Sequence, residues 1–226
     1  MYSDTSGASY TVTISCPFES LSSVSISRGV LTEITIPDGI SSLGERCFSA
    51  KYHLTKVSLP DSITAMGARC FSSCEALTEI KLPPVSAIPQ SCFYACTALQ
   101  SVEISDTVTV VDYGAFDKCI ALQSVSIPDS VTELKVNAFS RCSGLLNVKL
   151  SQSLGKLYSA AFEGCTSLQT ITLPVSLTYM EGDIFDGCTA LQTVYYEGNQ
   201  MQFDQISKWS ENGWLGNSTA QLVCLG

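Results

Sequence analysis

Residues 122–142 read LQSVSIPDSVTELKVNAFSRC, and this stretch decides the fold because the chain keeps repeating it. Phenylalanine recurs at Phe48, Phe71, Phe93, Phe116, Phe139, Phe162 and Phe185, in steps of 23 residues with a single step of 22. A leucine stands six positions after each: Leu54, Leu77, Leu99, Leu122, Leu145, Leu168 and Leu191. Nine positions after come Val57, Ile80, Val102, Val125, Val148, Ile171 and Val194. Eleven after come Leu59, Leu82, Ile104, Ile127, Leu150, Leu173 and Tyr196. Self-similarity at a fixed period of this size is the mark of a solenoid.

Within a unit, the V-x-I step is β-branched with period two, which predicts a short strand whose alternate side chains face inward. A proline often follows and ends it, at Pro37, Pro60, Pro83, Pro128 and Pro174. From the A-F step to the next cysteine, inward positions lie three apart, which predicts a single turn of α- or 3₁₀-helix. No unit can bury its apolar side alone. Stacked units make a parallel sheet on one face and a continuous core behind it.

The pattern L-x-x-I-x-I-P-D-S-V-T-x-I-x-x-x-A-F-x-x-C resembles the BspA-like leucine-rich repeat family, over seven units from Leu31 to Cys188. The tail LQTVYYEGNQMQFDQISKWSENGWLGNSTAQLVCLG is similar to the segment that closes such repeats in bacterial surface proteins. The resemblance implies an α/β leucine-rich repeat solenoid, right-handed and curved. Its parallel sheet would line the concave face, with short helical turns and loops on the other side. It also implies secretion or surface display and a role in adhesion and protein binding, and it carries over no catalytic residue. The expected organisation is one continuous domain: capping strands and a truncated repeat in 1–30, seven repeats in 31–190, and a last strand with a cap in 191–226.

Two columns depart from the pattern. Gly44 and Gly67 are followed at the same position by Pro89, Asp112, Lys135, Tyr158 and Glu181. Proline fixes φ near −65°, so the column cannot require a left-handed backbone, and glycine there reads as a preference. The unit at Leu77 is one residue short, with LPPVSAIPQSCF in place of LPDSITAMGARCF. The loss should tighten the turn after Leu82 and leave the sheet intact.

Of 226 residues, 45% are apolar and 15% charged, which suits a folded chain with a sizeable core. The net charge of −9 argues against nucleic acid or an anionic membrane surface as partner. No apolar run is long enough to span a bilayer, so no direct membrane insertion is expected. The opening MYSDTSGASYTV lacks the basic and apolar regions of a signal peptide. It fits either a cytoplasmic protein or the mature part of a secreted one, and an extracellular or cell-surface location is the expectation from the resemblance.

The 11 cysteines are an odd number, so they cannot all pair within the chain. Most fall into two columns. Cys74, Cys96, Cys119, Cys142, Cys165 and Cys188 form one, which the first unit breaks with Lys51. Cys47, Cys70 and Cys92 form the other, continued by Ala115, Ala138, Ala161 and Ile184. A metal ligand or redox thiol is not interchangeable with alanine or isoleucine, whereas a small buried side chain is. The favoured reading is two stacked, reduced and inert thiol columns beside the phenylalanines. Inter-repeat disulfides are the alternative, since neighbouring coils bring Cα atoms within about 6 Å. Zinc is disfavoured because a linear column does not converge on one point. Cys16 and Cys224 lie outside both columns and read as packing within the caps.

A solenoid must cap both ends. SYTVTISC (9–16) alternates like a strand. A truncated unit, Leu21-x-x-Val24-x-Ile26, leads to a turn at Ser27-Arg28-Gly29. Near the C-terminus, Phe203, Ile206 and Trp209 are spaced for a short amphipathic helix, and STAQLVCL suits a last strand. Trp209 and Trp214 read as closing the core rather than as ligand anchors. Asn217-Ser218-Thr219 matches a glycosylation sequon, which has meaning only in a eukaryotic secretory pathway.

The single histidine, His53, has no partner motif and reads as a surface loop residue; no catalytic constellation or phosphate-binding glycine loop is legible. No enzyme activity, metal or cofactor is therefore expected. Binding is the better expectation, on the outward positions of L-x-x-V-x-I. Those positions include Lys56, Glu79, Lys81, Glu103, Gln123, Lys149, Gln169, Gln192 and Tyr195. Rungs about 4.8 Å apart place Lys56 between Glu33 and Glu79, and Lys81 beside Glu103, where their charges should neutralise one another. The face is rich in hydroxyls and amides, and its best local candidate is the C-terminal end around Lys149, Tyr195 and Tyr196. These features predict a surface-exposed or secreted, monomeric binding module for a protein or glycan. A structural spacer of a larger surface protein and an intracellular interaction scaffold are the alternatives.

Overall fold

The structure, a computed structural model, describes residues 9–13, 20–21, 30–208 and 213–226. Its chain winds as a parallel β-solenoid of about seven turns with almost no helix. Each coil gives one strand to a front sheet and a two-residue strand to a second sheet. Front strands include Val30–Thr35, Lys56–Ser58, Glu79–Lys81, Ser101–Glu103, Ser124–Ser126, Asn147–Lys149, Thr170–Leu173 and Thr193–Tyr196. They pair in parallel, with Ile80 opposite Val102, Val125 opposite Val148 and Ile171 opposite Val194. The return segments supply Ser42–Leu43, Ala65–Met66, Ala87–Ile88, Val110–Val111, Glu133–Leu134, Lys156–Leu157 and Tyr179–Met180. Strands Ser9–Thr13 and Gln221–Cys224 add to the two ends of the front sheet, where the alternating and apolar patterns place them.

Between the sheets lies one apolar core. The leucine column from Leu54 to Leu191 is buried throughout, and so are all seven phenylalanines. Their rings form a parallel stack, with centroids 5.0 Å apart for Phe116 and Phe139 and 5.9 Å for Phe162 and Phe185. Trp214 ends the stack edge-on to Phe185 at 6.1 Å, and Phe203 packs edge-on to Trp214 and to Tyr196. Phe203 sits on a short α-helix, Gln200–Asp204, which Asn199 and Gln202 close with a reciprocal capping box. So Trp214, Phe203 and Ile206 plug the end of the core. Cys16, the turn at 27–29 and Trp209 lie outside the described residues.

The helical turn expected around each phenylalanine does not form. Two residues per coil adopt left-handed backbone angles instead, one two positions before the phenylalanine and one two positions after. The first column is Arg46, Arg69, Ser91, Gly114, Asn137, Ala160 and Asp183; the second is Ala50, Ser73, Ala95, Lys118, Arg141, Gly164 and Gly187. Alternating handedness turns successive peptides in opposite directions. The N–H groups of Arg69, Phe71 and Ser73 donate to Gln90, Cys92 and Tyr94 of the next coil, while those of Ser72 and Cys74 donate to Arg69 and Phe71 of their own. A helix would keep every bond inside the coil. The inter-coil bonds offset the roughly 1–2 kcal/mol that each left-handed residue costs.

The short unit tightens its turn as expected. The Val85 N–H donates to Pro83, two residues back, whereas Ile63, Val131 and Leu177 reach three residues back to Pro60, Pro128 and Pro174. Its front strand still pairs with Ser101–Glu103, but the second sheet is interrupted between Ala65–Met66 and Ala87–Ile88. Shortening the turn changes where the return segment arrives, so the two short strands miss their pairing. The glycine column shows no left-handed residue, yet Gly67 is more than a preference. A Cβ there would lie 2.3 Å from the Glu45 backbone nitrogen and 2.6 Å from the Gly44 carbonyl carbon.

Candidate functional site

Outward positions of the front sheet follow from its two-residue alternation. Lys56, Glu79, Lys81, Glu103, Gln123, Lys149, Gln169 and Gln192 are all exposed there, as the spacing predicts. Tyr195 is half-buried, opposite Thr172 on one side and Val223 on the other. Tyr196, grouped with this face on the sequence, is 1% exposed. It points into the core with its ring 5.3 Å from Phe203, since adjacent strand residues face opposite ways. His53 is exposed in a loop.

The charges neutralise only in part. Lys81 and Glu103 pair at 3.2 Å, both well exposed. Lys56 stands opposite Glu33 but forms no ion pair with it, and no ladder joins its strand to Glu79–Lys81. Of the candidate residues, Lys56, Glu79, Gln123, Lys149, Gln169 and Gln192 are exposed and, among the described residues, without a side-chain hydrogen bond or ion pair.

Four of the candidate residues line two separate grooves. One, of about 420 Å³, lies where Glu103 and Lys149 meet Asp106 and Asp129 at the ends of the strands. The other, of about 550 Å³, lies at the C-terminal end and brings Gln169 and Gln192 together with Thr189, Thr193, Thr219 and Gln221. Thr219 and Gln221 come from the tail, which matches no repeat, so the periodic reading could not place them. Elsewhere, threonine hydroxyls are consumed by the stack: Thr55 donates to Thr32 at 2.9 Å, and Thr109 to Ser86 at 3.0 Å.

A different network covers the second sheet. Glu133 pairs with Lys135 and, at 3.0 Å, with Lys156. Hydrogen bonding from Lys135, helped by Lys156, holds the Glu133 carboxyl below the usual range. The Lys135 ammonium lies 4.3 Å from the Tyr158 ring centroid, Tyr158 packs edge-on to Tyr179, and the Tyr179 hydroxyl donates to Glu181 at 3.1 Å. Its signal in the sequence was the column Glu133, Lys156, Tyr179 at the repeat period. The groups satisfy one another, so this face offers less to a ligand than the front sheet.

The thiol column has a role beyond filling space. Each thiol from Cys74 to Cys188 donates to the phenylalanine carbonyl of the coil before it, at 3.2 Å from Cys74 to Phe48 and 3.0 Å from Cys188 to Phe162. The described cysteines are free thiols, without a disulfide among them. Burial pushes Cys74 and Cys92 up to about 12, so the nucleophilic thiolate is disfavoured. Beside this column Asp117 is 9% exposed, and its Oδ1 has no hydrogen bond. Arg141 stands 3.6 Å from that oxygen and 3.4 Å from Glu163. Burial is the main force raising the Asp117 carboxyl, against Arg141 and Lys118.

Among the described residues no helix is long and apolar enough to cross a membrane. The profile of BspA-type leucine-rich repeat regions, in six copies, matches residues 11–119 and 86–209. Solved structures with this fold include a leucine-rich repeat protein of Eubacterium ventriosum, 24% identical with a TM-score of 0.65, over 83% of this chain and 48% of that one. Another is a leucine-rich repeat protein of T. pallidum, 26% identical with a TM-score of 0.53, over 73% of this chain and 72% of that one. The chain thus spans about half the length of the Eubacterium protein. No curated protein matches the sequence.

Proposed function

The chain belongs to the BspA-type leucine-rich repeat family, and from that membership we propose that it is a non-catalytic recognition module displayed at a cell surface. It engages a protein or glycan through the outward face of its front sheet. One observation carries this reading. Lys56, Glu79, Gln123, Lys149, Gln169 and Gln192 are exposed on one sheet face, and among the described residues their side chains have no hydrogen bond or ion pair. The second sheet, by contrast, spends its charges and phenols on one another. A ligand can bond the front-face side chains without breaking a bond inside the chain, which offsets part of the roughly 0.5–1.5 kcal/mol that ordering each of them costs. The family resemblance supports adhesion as the setting.

The test is a binding screen of the intact chain against extracellular proteins and glycans, repeated with Lys149→Ala and Tyr195→Ala. A ligand should appear, and the substitutions should weaken it while the far-UV spectrum stays unchanged. A ligand held equally well by both variants would move the site off this face. No ligand in any class would favour a spacer role.

A further inference from the structure

We infer that the C-terminal groove of the front sheet, built by Gln169, Thr189, Gln192, Thr193, Thr219 and Gln221, binds an uncharged glycan. This rests on the recognition role proposed above and names the ligand class. The groove holds about 550 Å³, and its polar lining is three carboxamides and three hydroxyls with no charged side chain. Among the described residues none of those six side chains has a hydrogen-bond partner, although threonines on the same coils elsewhere are bonded to backbone carbonyls. Carboxamides and hydroxyls both donate and accept, as sugar hydroxyls do, so each can meet a sugar hydroxyl in either sense.

The placement adds order to the chemistry. The Gln192 N–H donates to the Gln169 carbonyl, and the Gln221 N–H to the Gln192 carbonyl, so the three amides occupy successive coils. Parallel strands step by about 4.8 Å, which presents one amide to each step of an extended chain lying across them. Tyr195 lies two residues along the strand from Thr193 and faces outward on the same side. It is half-buried and stands one outward position beyond the groove's Thr193. A tyrosine at that position gives the apolar face of a sugar ring a surface to stack on. An anionic glycan has no cation to meet there, and an apolar peptide anchor has no pocket.

Titration calorimetry of the full chain with cellohexaose, maltohexaose and chitohexaose tests this, beside sialyllactose, a heparin oligosaccharide and the proteins of the screen. At least one neutral oligosaccharide should bind. Gln192→Ala and Tyr195→Ala should each weaken it tenfold or more, while Tyr113→Ala on the turn side leaves it unchanged. Binding of anionic sugars or proteins alone, or neutral-sugar binding that survives both groove substitutions, would overturn the inference and leave the recognition role standing. Failure of every ligand class would overturn both.

Discussion

The Cys142 thiol donates to the Phe116 carbonyl at 3.2 Å, one coil back, and the relationship recurs at every step of the column. That oxygen already accepts the Cys119 N–H of its own coil. Cysteine therefore does what alanine and valine cannot at this position: it is small enough for the core and still donates. Cys142→Ala should cost about 1–2 kcal/mol in denaturant unfolding, from the lost bond and a small cavity. Cys142→Ser keeps a donor but buries a more polar hydroxyl. If Cys142→Ala is neutral, the thiol bond contributes nothing.

The same burial predicts reactivity. With Cys74 and Cys92 pushed up to about 12 and Cys119 also raised by burial, these thiols should resist alkylation at pH 8. Cys224 is half-buried on the last strand and should be modified before them. Peptide mapping after iodoacetamide treatment checks this. Labelling of Cys119 at the rate of Cys224 in the native state would mean that the coil opens locally.

Replacing Phe116 by alanine breaks the stack where it is tightest, with neighbours at 5.2 and 5.0 Å. The expected loss is about 3–5 kcal/mol, read from the shift in the urea midpoint. A loss under about 1 kcal/mol would contradict its burial.

How much of this was legible depends on which atoms set the pattern. The phenylalanine and leucine columns could be read because burial selects for side-chain type at a fixed period. The left-handed turns could not. Their columns hold arginine, serine, alanine, lysine, asparagine and aspartate as well as glycine, because inter-coil backbone bonds fix the angles whatever the side chain. Tyr196 stood in an inward column all along, and the alternation that buries it was visible in TVYY. The groove was visible only in part: of its six polar residues, Gln169, Thr189, Gln192 and Thr193 lie in the repeats, while Thr219 and Gln221 lie in the irregular tail.

Those turns are testable at Ala160, whose φ is +56°. Alanine in this conformation costs about 1–2 kcal/mol, of which glycine's extra unfolded-state freedom cancels a part. Ala160→Gly should raise stability by up to about 1 kcal/mol, and Ala160→Val should lower it because a β-branched side chain tolerates positive φ worst. Equal stability for all three would mean the left-handed angle is absent in solution.

Asp117 gives the chain a pH signature. Its folded-state pKa is raised, chiefly by burial, so the folded state holds the proton more tightly than the unfolded state. The sign follows: its unfavourable contribution is absent below the unfolded carboxyl value of about 3.9 and grows as pH rises through the folded value. Asp117→Asn removes the charge and leaves Arg141 paired with Glu163. The variant should melt above the parent at pH 7, and the gap should close as pH falls towards 4. A variant less stable at pH 7 would show that the Arg141 attraction outweighs desolvation.

Gly67 and Gly155 form a matched pair that separates close approach from simple preference. At Gly67 an added Cβ meets backbone atoms of Glu45 and Gly44 at 2.3 and 2.6 Å, and backbone cannot swing aside as a side chain can. At Gly155 the nearest atom is the Thr132 carbonyl oxygen at 3.7 Å, an ordinary contact, and its φ is not left-handed. Gly67→Ala should therefore cost about 1–3 kcal/mol by forcing two coils apart. Gly155→Ala should be neutral or gain about 0.4–1 kcal/mol by restricting the unfolded chain. Thermal unfolding of the two variants side by side decides it: if Gly67→Ala is tolerated as well as Gly155→Ala, the first coils are packed less closely than the backbone contacts at Gly44 and Glu45 indicate.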